Sequence, residues 1–176
     1  SPGDTLHYRL RVRNVSGFPL DGFALIDELD ALNSPAAFAA GTLRVVGVPA
    51  GADTGRVNPN GGAQGTGLLD IRNLSVGIAG SATDTVIVDF EVRLAPVLTN
   101  GTVVGNQARL TVAGVEYARS DDPNVNGADD PQVIGDEGPT RTLIASAPQW
   151  RVLKTSQDLT GDPAVLRAGS VSNISN

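Results

Sequence analysis

With 176 residues, 40% of them hydrophobic, the chain can bury a sizeable core without metals or crosslinks, and one domain with long loops is the simplest count. The absence of cysteine excludes a disulfide framework and thiol chemistry. A formal net charge of -6 argues against general attraction to nucleic acid or anionic lipid, and no apolar run is long enough to insert into a membrane as a helix.

The 21 glycines and 11 prolines favour turns over long helices. Residues 5–13 open with strict alternation: Leu6, Tyr8, Leu10 and Val12 fall on one face, His7, Arg9, Arg11 and Arg13 on the other. That spacing predicts a half-buried strand. After an Asn14–Gly17 turn, residues 20–29 predict a second strand. Counting parity from Ala24 and Ile26 makes Glu28 its inward carboxylate.

Residues 42–48 suit a further strand, whereas the glycine-rich stretch 51–67 reads as a long connection or insertion. Order resumes at 68–78. The clearest run is 83–94, with Val86, Val88, Phe90, Val92 and Leu94 on one parity. A later strand carries Val104, Asn106, Ala108, Leu110 and Val112 on one face. Ala113-Gly114 then closes a hairpin into 115–118. Residues 150–154 resemble a strand beyond a polar, proline-containing segment.

Short alternating strands punctuated by glycine, proline and asparagine predict an antiparallel β-sandwich, with a barrel as the structural alternative. The organisation expected is a sandwich over 1–147 and, over 148–176, a linking strand or the start of another repeat.

Several of these segments resemble the DUF11 repeat of bacterial and archaeal surface proteins. They are Pro2-Gly3-Asp4-Thr5 with its following strand, Ile26-Asp27-Glu28-Leu29, residues 86–94, and Gly105-Asn106-Gln107-Ala108. The paired Ser120-Asp121-Asp122-Pro123 and Ala128-Asp129-Asp130-Pro131 belong to the same resemblance, which covers roughly residues 2–135 and departs from a compact copy at 33–67. It implies an Ig-like fold, an extracellular or cell-surface location and no common catalytic activity. It also places a lysine-containing lead-in before the Pro-Gly-Asp-Thr run. Here such a lead-in, with Lys154, lies towards the C-terminus. An exchanged terminal strand joining copies head to tail is the expectation that follows, with Trp150, Val152 and Lys154 at the subunit interface.

Three chemistries follow from the residues. Asp121, Asp122, Asn124, Asn126, Asp129 and Asp130 offer hard oxygen ligands suited to Ca2+, the alternative being a solvated acidic turn. Lys154, Asn106 and Glu28 supply the amine, carboxamide and carboxyl group of an isopeptide crosslink, if brought together in a dry core. The other reading is a lysine in solvent and an asparagine satisfying backbone groups. Conventional catalytic sets are absent: His7 is the one histidine and falls on the polar parity. Asn14, Asn73, Asn100 and Asn173 begin glycosylation triplets, and Arg9, Arg11 and Arg13 form a basic strip on a solvated face.

The expected role is therefore a non-enzymatic structural subunit or repeat of an extracellular filament, sheath or stalk that associates with identical subunits or neighbouring repeats. The alternative is an adhesion module that binds a glycan or protein through its loops.

Overall fold

The computed structural model describes residues 1–122, 124, 137–146 and 154. The chain divides into two compact units, Ser1–Ser146 and Ala147–Asn176, and the strands and core described below belong to the first. Nine strands are found among the described residues, and no helix. They are β1 (Thr5–Arg13), β2 (Leu20–Glu28), β3 (Arg44–Gly47), β4 (Leu68–Val76), β5 (Thr85–Arg93), β6 (Val103–Asn106), β7 (Arg109–Val112), β8 (Val115–Arg119) and β9 (Thr140–Leu143).

Every strand pair is antiparallel. One sheet has the order β1-β5-β3 and the other β4-β2-β7-β8, with β6 and β9 forming a separate pair. The architecture is an all-β antiparallel sandwich. Its core draws on both larger sheets, through Val88, Phe90 and Val92 of β5 and Phe23, Leu25 and Ile71 of β2 and β4. Each such side chain, fully buried, contributes about 1.5–3 kcal/mol.

The alternation of β1 and β5 has the consequence expected of it. Val86, Val88, Phe90 and Val92 are buried along β5. Their antiparallel partners on β1 are Val12, Leu10, Tyr8 and Leu6. These β1 residues are only half-buried, and among the described residues β1 pairs with β5 alone. Tyr8 stacks on Phe90 with ring centroids 5.2 Å apart.

The parity of β2 corrects the sequence reading. Phe23, Leu25 and Asp27 point into the core, Asp27 with no exposed surface, while Glu28 is only half-buried and accepts a hydrogen bond from the Ala63 backbone at 2.6 Å. The pairing of β2 with β4 shifts register twice between Leu20 and Leu25, which breaks a parity count carried along the strand. Glu28 is not the inward carboxylate.

Two further differences lie near the C-terminal end of this unit. The expected continuous strand over 104–112 divides at Gln107-Ala108, so that β6 pairs with β9 while β7 joins β2 and β8. Side chains hold the break: Ser120 Oγ accepts from the Ala108 backbone at 3.0 Å, and Gln107 Nε2 donates to the carbonyls of Ser120 and Glu137. β9 falls in a segment that the sequence pattern does not mark as a strand. The β7–β8 hairpin turns through Ala113 and Gly114, both at positive φ, as a two-residue turn requires.

The glycine-rich connection 51–67 lies along β4. Backbone bonds join Asp53 with Arg72 and Asn58 with Leu68 in both directions, and Asn73 Nδ2 donates to the Gly51 carbonyl at 2.8 Å. The connection thereby covers the outer edge of a nine-residue strand.

Candidate functional site

Two features stand out, a groove beside β1 and a buried polar cluster beneath it. Edge strands offer unpaired N–H and C=O groups to other chains, and proteins usually shorten, bulge or cover them. β3 is four residues long with a register shift, β8 is five residues long and charged, and β4 is covered by the 51–67 connection. β1 shares the charge, through His7, Arg9, Arg11 and Arg13, but has no register shift and, among the described residues, no covering segment. It runs for nine residues without proline, and among the described residues it pairs with β5 alone.

A groove of about 410 Å³ runs between β1 and the β7–β8 hairpin. Leu10, Val12, Val15, Leu25, Leu110 and Ala118 supply its apolar lining, and Arg109 and Arg119 also border it. Arg119 donates to Glu116 at 2.7 Å.

The polar cluster is centred on Asp27. Asn106 Nδ2 donates to Asp27 Oδ2 at 2.7 Å in the protein interior. Asp27 Oδ1 finds no hydrogen-bond partner among the described residues, and neither does Tyr8 Oη. Burial pushes the Asp27 carboxyl up to about 7, against the smaller opposing effects of the Asn106 hydrogen bond and the Arg109 charge. Burial likewise raises the Tyr8 phenol, and the nearby negative charge of Asp27 raises it further. Thr142 of β9 is close enough to temper the Tyr8 shift, but its geometry falls short of a hydrogen bond to Oη.

Asp30, also fully buried, does different work. Its carboxylate accepts from the backbones of Ala37 and Phe38 at 2.8 and 3.0 Å and from Asn33 Nδ2 at 2.8 Å. Asn33 in turn exchanges hydrogen bonds with the Gly105 backbone. This network fastens the loop after β2 to β6, and so fixes Asn106 next to Asp27.

Of the expected crosslinking set, Asn106 is buried and bonded to a carboxyl group, but that group belongs to Asp27 and not Glu28. Lys154 is exposed. Among the expected calcium ligands, Asp121 Oδ1 accepts from the Gly138 backbone, and Asp122 Oδ1 accepts from the backbone and side chain of Asn124. Those carboxylates brace the loop itself, and no group of three or more His, Cys, Asp or Glu converges among the described residues. Asn126, Asp129, Asp130, Trp150 and Val152 lie outside the described residues.

Three of the glycosylation-triplet asparagines are engaged within the fold. Asn14 Nδ2 donates to the Phe18 and Gly77 carbonyls, Asn73 Nδ2 to that of Gly51, and Asn100 Oδ1 accepts from the Ser146 backbone. In the basic strip, Arg9 forms two bonds to Asp89, at 2.8 and 3.1 Å.

Sequence pattern missed Asp27, Tyr8 and Asp30 as a group. The signal for Asp27 was the spacing Phe23, Leu25, Asp27, Leu29, which competes with the equally apolar Ala24 and Ile26.

Fold and site together define an antiparallel β-sandwich in which the nine-residue β1 pairs on one side alone among the described residues. Comparison with family models, curated proteins and solved structures finds no match.

Proposed function

We propose that this chain is a structural subunit or repeat of an extracellular filament, sheath or cell-surface stalk, and that its copies join by strand addition along β1. The observation that carries this reading is the contrast between edges: β4 is covered and β3 is short and shifted, while the nine-residue β1 pairs on one side alone among the described residues and runs beside an apolar groove. A strand added there gains backbone hydrogen bonds along β1 and buries apolar side chains in the groove. Each copy that receives a strand and donates one forms a contact that does not close on itself, and repetition of that contact builds a filament.

The resemblance to surface repeats supports the cellular setting of the proposal, and the one-sided pairing of β1 among the described residues supports its mechanics. Light scattering across a concentration series, with negative-stain microscopy of the same samples, tests it. Growth into linear particles is expected, and loss of that growth when residues 149–176 are removed. A chain that stays monomeric at all concentrations overturns the reading.

A further inference from the structure

The extracellular setting proposed above brings the Asn-X-Ser/Thr triplets within reach of glycan transfer, and the inference rests on that setting and not on self-assembly. An asparagine carboxamide carries two N–H hydrogens, and attaching a sugar to Nδ2 consumes one of them. The triplet is also read through the hydroxyl of its third residue, and an acceptor belongs on a surface loop. An asparagine whose hydrogens and neighbouring hydroxyl already hold the fold together is therefore a poor acceptor.

Asn14 is engaged in full. Its Nδ2 donates to the Phe18 and Gly77 carbonyls at 2.6 and 2.8 Å, so a sugar there must break one of the two bonds. The Ser16 hydroxyl of the same triplet lies 2.8 Å from Asn14 Oδ1 and 3.0 Å from the Phe18 carbonyl. Asn73 sits within β4, beside the buried Leu74. Its Nδ2 donates to the Gly51 carbonyl at 2.8 Å, a bond that fastens the glycine-rich connection to the strand.

Asn100 differs on each point. It is exposed, in the turn 99–102 between β5 and β6. There the Thr102 amide donates to the Thr99 carbonyl at 3.1 Å and Gly101 takes φ 82 at the third position, where glycine is unstrained. An added Cβ at Gly101 would meet nothing within 4 Å, so the turn stands in open space. Asn100 Oδ1 accepts from the Ser146 backbone at 2.8 Å. The carboxamide is thus anchored through its oxygen, while Nδ2 and the Thr102 hydroxyl have no hydrogen-bond partner among the described residues.

We propose that Asn100 is the N-glycosylation site among these three triplets, taking an oligosaccharide from a lipid-phosphate donor. Nδ2 bonds to the anomeric carbon as that carbon's bond to phosphate oxygen breaks. The bonding pair leaves with the lipid phosphate, and the transferase's base takes the proton lost from Nδ2. The bond from Ser146 to Oδ1 is untouched, so the sugar is added without loss of a hydrogen bond among the described residues.

The test uses the full wild-type chain, secreted behind a supplied export signal from a yeast host that N-glycosylates. Releasing the glycans with an amidase in heavy-oxygen water marks each occupied asparagine as a heavy aspartate, and peptide mass mapping then reads occupancy site by site. Asn100 is expected to be occupied, ahead of both Asn14 and Asn73, and Asn100→Gln should abolish that glycan. Secreted wild type with Asn100 unmodified overturns the assignment, as does occupancy at Asn14 or Asn73 equal to or above that at Asn100. Because the export signal is supplied and self-assembly is scored separately by light scattering, loss of this assignment and loss of the proposed function are read independently.

Discussion

Asn106 Nδ2 lies 2.7 Å from Asp27 Oδ2 in the interior of the sandwich and leaves the other carboxylate oxygen without a partner among the described residues. This relationship links the end of β6 to β2, an inner strand of the four-stranded sheet. It also makes the protein's stability depend on pH in a direction unusual for an aspartate.

The first prediction concerns that direction. Asp27 is pushed up to about 7 in the folded chain, against an ordinary value of 3.8. Between those values the folded state holds a proton that the unfolded state has released, so stability falls as pH rises from about 4 to about 7. The full loss is on the order of 4 kcal/mol. Asp84 and Asp89, held low by hydrogen bonds from Thr85 and Arg9, act in the opposite sense at more acidic pH. Denaturant melts of the wild type should therefore show lower stability at pH 8 than at pH 5, with the difference largely abolished in Asp27→Asn. A wild type more stable at pH 8 than at pH 5 contradicts the assignment.

Tyr8→Phe is expected to stabilise the monomeric chain. The ring keeps its stacking on Phe90, and the substitution removes a buried hydroxyl that has no partner among the described residues. A gain of about 1 kcal/mol is expected, read as a higher thermal midpoint at low protein concentration. A clear loss would mean that the hydroxyl has found a partner, with Thr142 the nearest candidate.

Asp30→Ala should cost about 3 kcal/mol or more, since it strands the Ala37 and Phe38 amide donors and releases Asn33. Asp30 sits at φ 62, in the left-handed region, so a glycine there recovers backbone freedom but not the hydrogen bonds. Asp30→Gly should accordingly remain well below wild type in urea melts. Recovery to wild-type stability would show that strain, and not the network, controls this loop.

Gly67→Ala tests the attachment of the glycine-rich connection. The residue has φ +145, and an added Cβ would stand 2.7 Å from Leu29 Cδ1 and 3.3 Å from Leu43. Strain and overpacking together should cost about 2 kcal/mol or more. Gly51→Ala, with open space around the Cβ but φ +85, should cost less, and the ranking is read by parallel thermal melts. The reverse ranking would mean that packing around Gly67 yields readily.

Local pattern was most reliable where one strand buries a single face. The alternations in β1 and β5 specify both strands and the side chains each turns inward, because a period of two leaves one arrangement that buries the apolar set. Ala113-Gly114 likewise marks its own turn, since both residues must take positive φ. β2 was less legible. Phe23, Ala24 and Leu25 are consecutive and all buried, so pattern alone offers two parities, and the register shifts against β4 decide between them. β9 left almost no local signal: Thr140 to Leu143 is polar or exposed at most positions, and its strand character comes from pairing with β6.

Composition and alternation by themselves determined an all-β chain and the face that β1 presents to the core. Those properties depend on neighbours one or two residues apart. Tertiary structure alone decided that Asp27 and not Glu28 meets Asn106, and that the 51–67 connection covers β4. The Asp27–Asn106 contact spans 79 residues, and edge protection is a property of a whole sheet; in both cases the deciding partner comes from a distant part of the chain.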